Sequence, residues 1–232
     1  LSFTTADVIA PSLSSSSPAD NATAVAIDSN IILNFSEAVD RETGNIVIYK
    51  STDDSVVETI DVTSGQVSGS GTTQITIDPS ADFSSATEYY VQIAATAFDD
   101  VAGNSYAGIT NKTTLSFTSS DIDVPTISGI TSSTADGTYK TGDILNLSVA
   151  FSELVTVDTT NGSPTLELET GSINRTASYL SGSGSSTLIF RYVVQDGDTA
   201  SDLDYISVEG KAITIQSALV HDYNFGTIKD AA

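Results

Sequence analysis

The chain repeats itself at a spacing of about one small domain. Leu1 to Pro11 return, lightly changed, as Leu115 to Pro125, an offset of 115 − 1 = 114 residues. A second repeat, from Phe35 to Val39 and from Phe151 to Val155, has an offset of 151 − 35 = 116 residues. Repetition at a fixed period of this length predicts tandem copies of one structural unit. A chain of 232 residues is long enough for two units, each with its own core.

The pattern within each copy is typical of β-structure. Short β-branched and aromatic runs alternate with turn clusters at intervals of about 8–12 residues, which indicates an all-β sandwich or barrel. The first copy predicts strands at 11–13, 31–35, 45–50, 56–62, 74–78, 88–93 and 114–118. The second predicts strands at 126–130, 144–151, 165–169, 175–180, 187–194, 213–215 and near 225–228. We therefore expect an all-β fold of two tandem immunoglobulin-like (Greek-key) β-sandwiches.

The repeat also sets the expected domain boundaries. We expect residues 1–7 to be the tail strand of a preceding module, 8–120 the first module and 121–232 the second. By the register of the first module, we expect the second to stop before its last strand. A hypothesis follows that Leu1–Thr5 of a neighbouring molecule complements that open edge by adding a strand.

Charge and composition exclude several kinds of partner. The chain has 30 acidic and 8 basic residues, a formal net charge of −22, so no basic stripe can neutralise nucleic-acid phosphates or an anionic membrane surface. No segment approaches the roughly 18–20 apolar residues of a membrane span. Cysteine is absent, which rules out disulfides and thiolate metal sites. Short carboxylates in turns suit backbone capping or the binding of Ca²⁺.

Sandwich topology brings acidic segments together at the pole where the chain enters each module. The turn after the second strand and the turn between the last two strands both return to that pole, beside the incoming linker. Calcium takes 6–8 oxygen ligands, which such a cluster can supply with carbonyls and water. Simple capping of turns by Asp and Asn is the alternative. The candidate ligands of the first module are Asp7, Glu37, Asp99, Asp100 and Asn104, and those of the second are Asp121, Asp123, Glu153 and Asp230.

A second acidic run, from Asp196 to Tyr205, follows the fifth strand of the second module, at the opposite pole. Its spacing is loosely that of a calcium loop, although it does not match the Gly and Glu positions of an EF-hand. A plain solvated loop is the other interpretation. Its candidate ligands are Asp198, Asp202 and Asp204.

The sequence gives little support to an enzyme. His221 is the single histidine, and its pairing in space with a Ser and an Asp cannot be read from sequence. Trp is absent, and Tyr89 and Tyr90 fit a tyrosine corner better than a sugar platform. We therefore expect no catalytic activity.

The ordered motifs of the first module, Pro18 to Asn21, Phe35 to Val39, Tyr89 to Ile93 and Asp100 to Asn104, resemble the bacterial Ig-like domains of S-layer and adhesin proteins. The second module is similar to a repeat of very large bacterial surface adhesins of the RTX type. Its matching segments are 136–142, 151–153, 177–184, 202–205 and 226–232.

This resemblance implies secretion to the cell surface and a role as calcium-rigidified extender modules, whose partners are neighbouring modules of the same chain. A glycan- or peptide-binding module and an S-layer component remain alternatives.

Overall fold

The fold consists of β-strands arranged in two units. The computed structural model describes Phe3 and residues 5–201, 203–205 and 227–230. The chain divides into two compact units, Leu1–Asp123 and Val124–Ala232. The described residues contain strands and no helix.

The first unit is a sandwich of two five-stranded sheets. One sheet has the order β1-β3-β7-β6, with β9 pairing with β3, and the other has the order β2-β10-β8-β4-β5. All pairs are antiparallel except β10 with β2, which is parallel. The strands are β1 (Leu13–Ser17), β2 (Ala22–Val25), β3 (Ile31–Arg41), β4 (Asn45–Lys50), β5 (Val56–Asp61), β6 (Val67–Ser68), β7 (Thr72–Ile77), β8 (Glu88–Ile93), β9 (Phe98–Asp100) and β10 (Ser116–Ser119).

The core of the first unit lies between its two sheets. Alternate residues of each strand point inward because side chains of a strand have a period of two. In β3 these are Ile31, Leu33 and Phe35, all buried. Phe35 packs against Phe98 of β9, with ring centroids 5.5 Å apart, and against Tyr106 at 5.2 Å. These contacts hold β9 against the end of β3.

The described strands of the second unit form one sheet, in which three pairings of the first unit recur. Its order is β11-β12-β15-β14-β13-β16, and β17 pairs with β12 as β9 pairs with β3. Its core is separate and includes Val149, Phe151, Leu188 and Phe190. The strands are β11 (Ile127–Ser132), β12 (Ile144–Asp158), β13 (Thr165–Glu169), β14 (Arg175–Ser181), β15 (Ser185–Val193), β16 (Asp204–Tyr205) and β17 (Thr227–Asp230).

Matching glycine turns precede β7 and β15. Gly69 and Gly182 have φ of +97° and +108°, in the region that L side chains rarely adopt. A Cβ on Gly69 would lie 2.1 Å from the Gln74 carbonyl oxygen, and one on Gly182 would lie 2.2 Å from that of Thr187. Both turns therefore need glycine to bring the chain back in register.

The expected tyrosine corner is present on β8. Tyr89 is buried, and its hydroxyl accepts a hydrogen bond from the Ser84 backbone N–H at 2.8 Å, five residues upstream. Tyr90 points to the other face of the same sheet and stacks on Tyr49, with ring centroids 4.8 Å apart. Tyr192 lies in the core of the second unit.

The strand pattern agrees with the sequence-based expectation at most segments and differs at some. The first unit has ten strands where seven were expected: β2 and β9 are short strands that pair with distant segments, and β6 is a two-residue strand that pairs with the next strand, β7. The segment from Ala97 to Asn104, expected to be a loop, contains β9. The expected strand 213–215 lies outside the described residues. Of the proposed complementing strand Leu1–Thr5, Phe3 and Thr5 are described and both are exposed.

Candidate metal centre

An irregularity in β3 positions Glu37. The register of β3 against β7 shifts between Asn34 and Val39, so the residues between them leave the regular ladder. Beyond that shift, Val39 pairs with Asp100 of β9. Such irregularities re-aim side chains at the ends of sheets. Glu37 and Asp100 therefore come from adjacent backbones at one end of the sheet.

A reciprocal pair of hydrogen bonds fastens the incoming chain beside Glu37. The Ser36 backbone N–H donates to the Ser12 carbonyl oxygen at 2.9 Å, and the Ser12 N–H donates to Ser36 Oγ at 3.0 Å. The second unit repeats this clip, with Ser152 N–H donating to the Thr126 carbonyl at 2.8 Å and Thr126 N–H donating to Ser152 Oγ at 2.9 Å. The serine of each Phe-Ser-Glu motif is thus a positioning residue that sequence reasoning missed. The repetition of the motif was its available signal.

Three carboxylates from distant parts of the first unit meet at this end. Asp7, Glu37 and Asp100 each place one carboxylate oxygen within 4.8 Å of the others. Asp7 is exposed, Glu37 is half-buried and Asp100 is 4% exposed. Neither of the described ion pairs of the chain involves them. The arrangement brings negative charge together at the position that topology predicted.

Backbone and side-chain donors hold Asp100 in place. Its Oδ1 accepts hydrogen bonds from the Ala102 and Asn104 N–H groups at 2.9 and 2.7 Å, and its Oδ2 accepts one from Asn104 Nδ2 at 2.8 Å. The Asn104 side chain, assisted by these backbone donors, lowers the pKa of Asp100 against the opposing effect of burial. Asn104 Nδ2 also donates to the Asp7 carbonyl oxygen at 3.3 Å. Asn104 therefore contacts the cluster as a donor that positions two of its members.

Glu37 has the opposite electrostatic environment. Burial raises the pKa of Glu37, and the neighbouring carboxylates of Asp7 and Asp100 raise it further. Both effects disfavour the charged form, since a carboxylate loses hydration on burial and is repelled by like charges. A bound cation would remove this penalty.

The second unit repeats two thirds of the arrangement at the same register positions. Val155 of β12 pairs with Asp230 of β17, as Val39 pairs with Asp100. Glu153 lies in the stretch where the register of β12 against β15 shifts, between Ala150 and Val155. Carboxylate oxygens of Glu153 and Asp230 lie within 4.8 Å of each other.

The linker aspartates of the two copies share a local conformation. Asp7 Oδ1 accepts a hydrogen bond from the Ile9 N–H at 3.0 Å, and Asp121 Oδ1 accepts one from the Asp123 N–H at 3.0 Å. Asp121 Oδ1 also accepts from Ser85 Oγ at 2.9 Å. Both residues therefore form the same two-residue Asx turn, as the sequence repeat implies.

The remaining candidate ligands lie elsewhere. Asp99 pairs in register with Asp40 and is not one of the three clustered carboxylates, because strand alternation puts Asp100 on the inward side with Phe98. That alternation from Phe98 was the signal that distinguishes Asp100 from its neighbour. Asp123 is exposed, and its backbone N–H donates to Asp121 Oδ1 in the Asx turn of the linker.

The acidic run of the second unit has one member with a defined role. The Asp198 carboxylate forms an ion pair with Arg175 at 3.4 Å, and accepts hydrogen bonds from the Gln195 N–H at 2.7 Å and from the Tyr192 hydroxyl. Burial, together with the bond to Asp198, raises the pKa of Tyr192 to about 12. Asp198 thus anchors its loop. Asp202, the side chain of Asp204 and His221 lie outside the described residues, so metal binding by this run stays a prediction.

A cleft of about 740 Å³ in the second unit bears on the ligand-binding alternative. It is lined in part by Tyr139, Tyr192 and Asp198. The Tyr192 ring is buried and its hydroxyl is bonded to Asp198, so Tyr192 presents no open face to a ligand, whereas Tyr139 is exposed.

The all-β architecture places the chain in the class of immunoglobulin-like β-sandwiches. Residues 7–119, which cover most of the first unit, match the family model of the bacterial Ig-like domain. Domains of this family occur in extracellular or surface proteins and are typically structural and non-enzymatic. No curated protein matches the chain significantly. Within the described residues, no helix is long and apolar enough to cross a membrane.

Proposed function

We propose that this chain supplies extender modules of a secreted bacterial cell-surface adhesin, stiffened by Ca²⁺ where one module follows another. The observation that carries the proposal is the meeting of Asp7, Glu37 and Asp100 within 4.8 Å. Three carboxylates offer up to six oxygens, and Ca²⁺ needs 6–8, so carbonyls or water complete the shell. Asp7 belongs to the segment that leads into the module, which makes the ion a tie between that segment and the sandwich.

The sequence repeat extends the proposal to a second ion. Asp121 corresponds to Asp7 in the repeat and forms the same Asx turn. Glu153 and Asp230 correspond to Glu37 and Asp100 by strand register. We therefore assign Asp121, Glu153 and Asp230 as the ligands of the second site. Each ion would restrict the linker that carries its aspartate.

The charge of the chain supports a cation. Its formal net charge of −22 destabilises the compact state through self-repulsion, and bound Ca²⁺ reduces that repulsion. Burial and two neighbouring carboxylates raise the pKa of Glu37, so the cluster is electrostatically unfavourable without a counter-ion.

Isothermal titration calorimetry with Ca²⁺ tests the assignment. We expect Glu37→Gln and Glu153→Gln each to remove one binding event, because each removes a carboxylate from one site. Glu88→Gln is the matched control, since Glu88 is exposed at the start of another strand and belongs to neither cluster. Unchanged stoichiometry in both site variants would contradict the assignment.

Solution scattering tests the mechanical part. We expect a chelator to increase the flexibility of the chain and excess Ca²⁺ to restore the original profile, because the ion holds each linker to a sandwich. Mg²⁺ is the control ion, since its strict octahedral geometry suits such a site poorly. Identical profiles with and without chelator would refute calcium stiffening even if the ion binds.

A further inference from the structure

The chain contains a modification motif that the metal centre does not involve. Six Asn-x-Ser/Thr tripeptides occur in it, and this tripeptide is the acceptor of N-linked glycans in exported proteins. They begin at Asn21, Asn34, Asn111, Asn146, Asn161 and Asn174. All six lie in the described part of the chain, so the structure can rank them.

Two of the six asparagines lie within β-strands. Asn34 of β3 donates from Nδ2 to Ser15 Oγ at 3.1 Å, and its Oδ1 accepts from Gln74 Nε2 at 2.9 Å. Asn146 is the third residue of β12, is half-buried and pairs in register with Arg191 of β15. Both tripeptides are held in paired strands, so a transferase that must bind the tripeptide as a loop would have to pull it out of the sheet. These positions serve as internal negative controls.

Asn111 has the opposite properties. It is exposed, in the loop that leads to β10. Its Oδ1 accepts three hydrogen bonds, from the Thr113 N–H at 2.9 Å, Thr113 Oγ1 at 3.1 Å and Thr114 Oγ1 at 2.9 Å. Lys112, the middle residue of the tripeptide, forms an ion pair with Asp54. Thr113 of the motif thus already donates to Asn111, and the Lys112–Asp54 ion pair fixes the loop that contains both residues.

This geometry favours reaction at Asn111 Nδ2. An amide nitrogen is a weak nucleophile because its lone pair is delocalised onto the carbonyl oxygen. Donors aimed at Oδ1 stabilise the negative charge that develops there as Nδ2 gives up a proton. The hydrogen bonds at Asn111 occupy Oδ1 and leave Nδ2 as the atom open to chemistry.

The other exposed motifs lack this arrangement. Asn21 donates from Nδ2 to Asp20 Oδ2 at 2.7 Å. Thr176, the acceptor threonine for Asn174, lies within β14 and pairs with Glu167. Ser163, its counterpart for Asn161, precedes Pro164, which restricts the backbone at Ser163 to extended conformations.

We propose that Asn111 is an N-glycosylation site. In the transfer, Nδ2 attacks C1 of a sugar that is esterified to phosphate on a nucleotide or a lipid carrier. The C1–N bond forms, the C1–O bond breaks, the phosphate leaves with the electron pair, and one proton passes from Nδ2 to a base of the transferase. The proposal rests on the surface location of the protein and is independent of calcium.

Peptide mass mapping of the full protein, purified from the surface of the cells that make it, tests the site. We expect a sugar on the Asn111 peptide and none on the Asn34 and Asn146 peptides. Asn111→Gln and Thr113→Val should abolish the modification, whereas Thr113→Ser, which keeps the hydroxyl, and Asn161→Gln should retain it. A single sugar would indicate a nucleotide donor and a preassembled oligosaccharide a lipid donor.

Three results would overturn the proposal. They are an unmodified Asn111 peptide in the wild-type protein, a modification that survives Thr113→Val, and equal modification of Asn34 or Asn146. The first is measured on unaltered protein and does not depend on the folding of a variant. Calcium titration of the same preparation shows independently whether the proposed metal sites are intact.

Discussion

Glu37 and Asp100 are neighbouring carboxylates whose environments act in opposite directions. Hydrogen bonds from Asn104 and nearby backbone N–H groups lower the pKa of Asp100, whereas burial, Asp7 and Asp100 raise that of Glu37. One member of the cluster is therefore held in the charged form by its own loop. The other depends on something outside the chain for stabilisation of its charge.

This difference predicts how stability depends on pH without calcium. The ordinary pKa of Glu37 is 4.5 and its folded value is higher, so the native state holds the proton more tightly than the unfolded state. The stability that protonated Glu37 contributes is therefore present below 4.5 and lost as pH rises through the folded value. Asp100 has a lowered pKa, so the stability that its charged form contributes is present at higher pH and lost as pH falls through the folded value.

We expect Glu37→Gln to raise the melting temperature of calcium-free protein at neutral pH by a few degrees. The variant should also lose less stability than wild type as pH rises above 4.5, the ordinary pKa of Glu37. The amide cannot ionise, which removes the repulsion. In excess Ca²⁺ the same variant should melt below wild type, because it has lost a ligand. Circular dichroism melts across pH, with Glu88→Gln alongside, measure both effects. A Glu37→Gln variant that is less stable in both conditions would refute the electrostatic explanation.

Sequence reasoning located this cluster through topology and could not refine it. Glu37, Asp100 and Asp7 were all candidates, because antiparallel strands return to the same pole. Asp99 was an equal candidate because the segment was interpreted as a loop, in which alternation has no meaning. Once β9 exists, the burial of Phe98 fixes Asp100 on the inward side.

At the scale of elements, the long central strand of each unit combines two roles. The first part of β3 is a regular core strand, and the part after its register shift carries Glu37 and pairs with β9. β12 has the same division, with Glu153 in its irregular stretch. The alternating part was predicted from sequence because its period of two is local. Strand β9 was not, because its pairing with β3 is non-local.

The glycine turn before β7 sets the register of the strand that borders this irregular stretch. We expect Gly69→Ala to destabilise the first unit by about 1–3 kcal/mol, since alanine is strained at a positive φ and its Cβ would meet the Gln74 carbonyl oxygen. Gly65→Ala is the matched control, because a Cβ there meets nothing within 4 Å. Urea unfolding measures the two free energies. Equal stability of the two variants would show that the turn tolerates a side chain.

At the scale of the whole molecule, each unit contains its own buried core and its own Glu–Asp pair, Glu37 with Asp100 and Glu153 with Asp230. The core of the first unit is built on Ile31, Leu33 and Phe35, and that of the second on Val149 and Phe190. Cooperative unfolding follows packed cores, so a chain with separate cores need not melt in one step. Ligands that bind only the native state stabilise the unit to which they bind.

Differential scanning calorimetry in the presence and absence of Ca²⁺ tests this separation. We expect two unfolding transitions, both moved to higher temperature by Ca²⁺, because Glu37 and Asp100 belong to the first unit and Glu153 and Asp230 to the second. In Ca²⁺, Glu37→Gln should lower one transition and Glu153→Gln the other, whereas Glu88→Gln should leave both in place. Assignment of each transition follows from Gly69→Ala, which affects the first unit alone. A single transition that both glutamate variants lower equally would contradict separate sites and show one cooperative calcium-dependent unit.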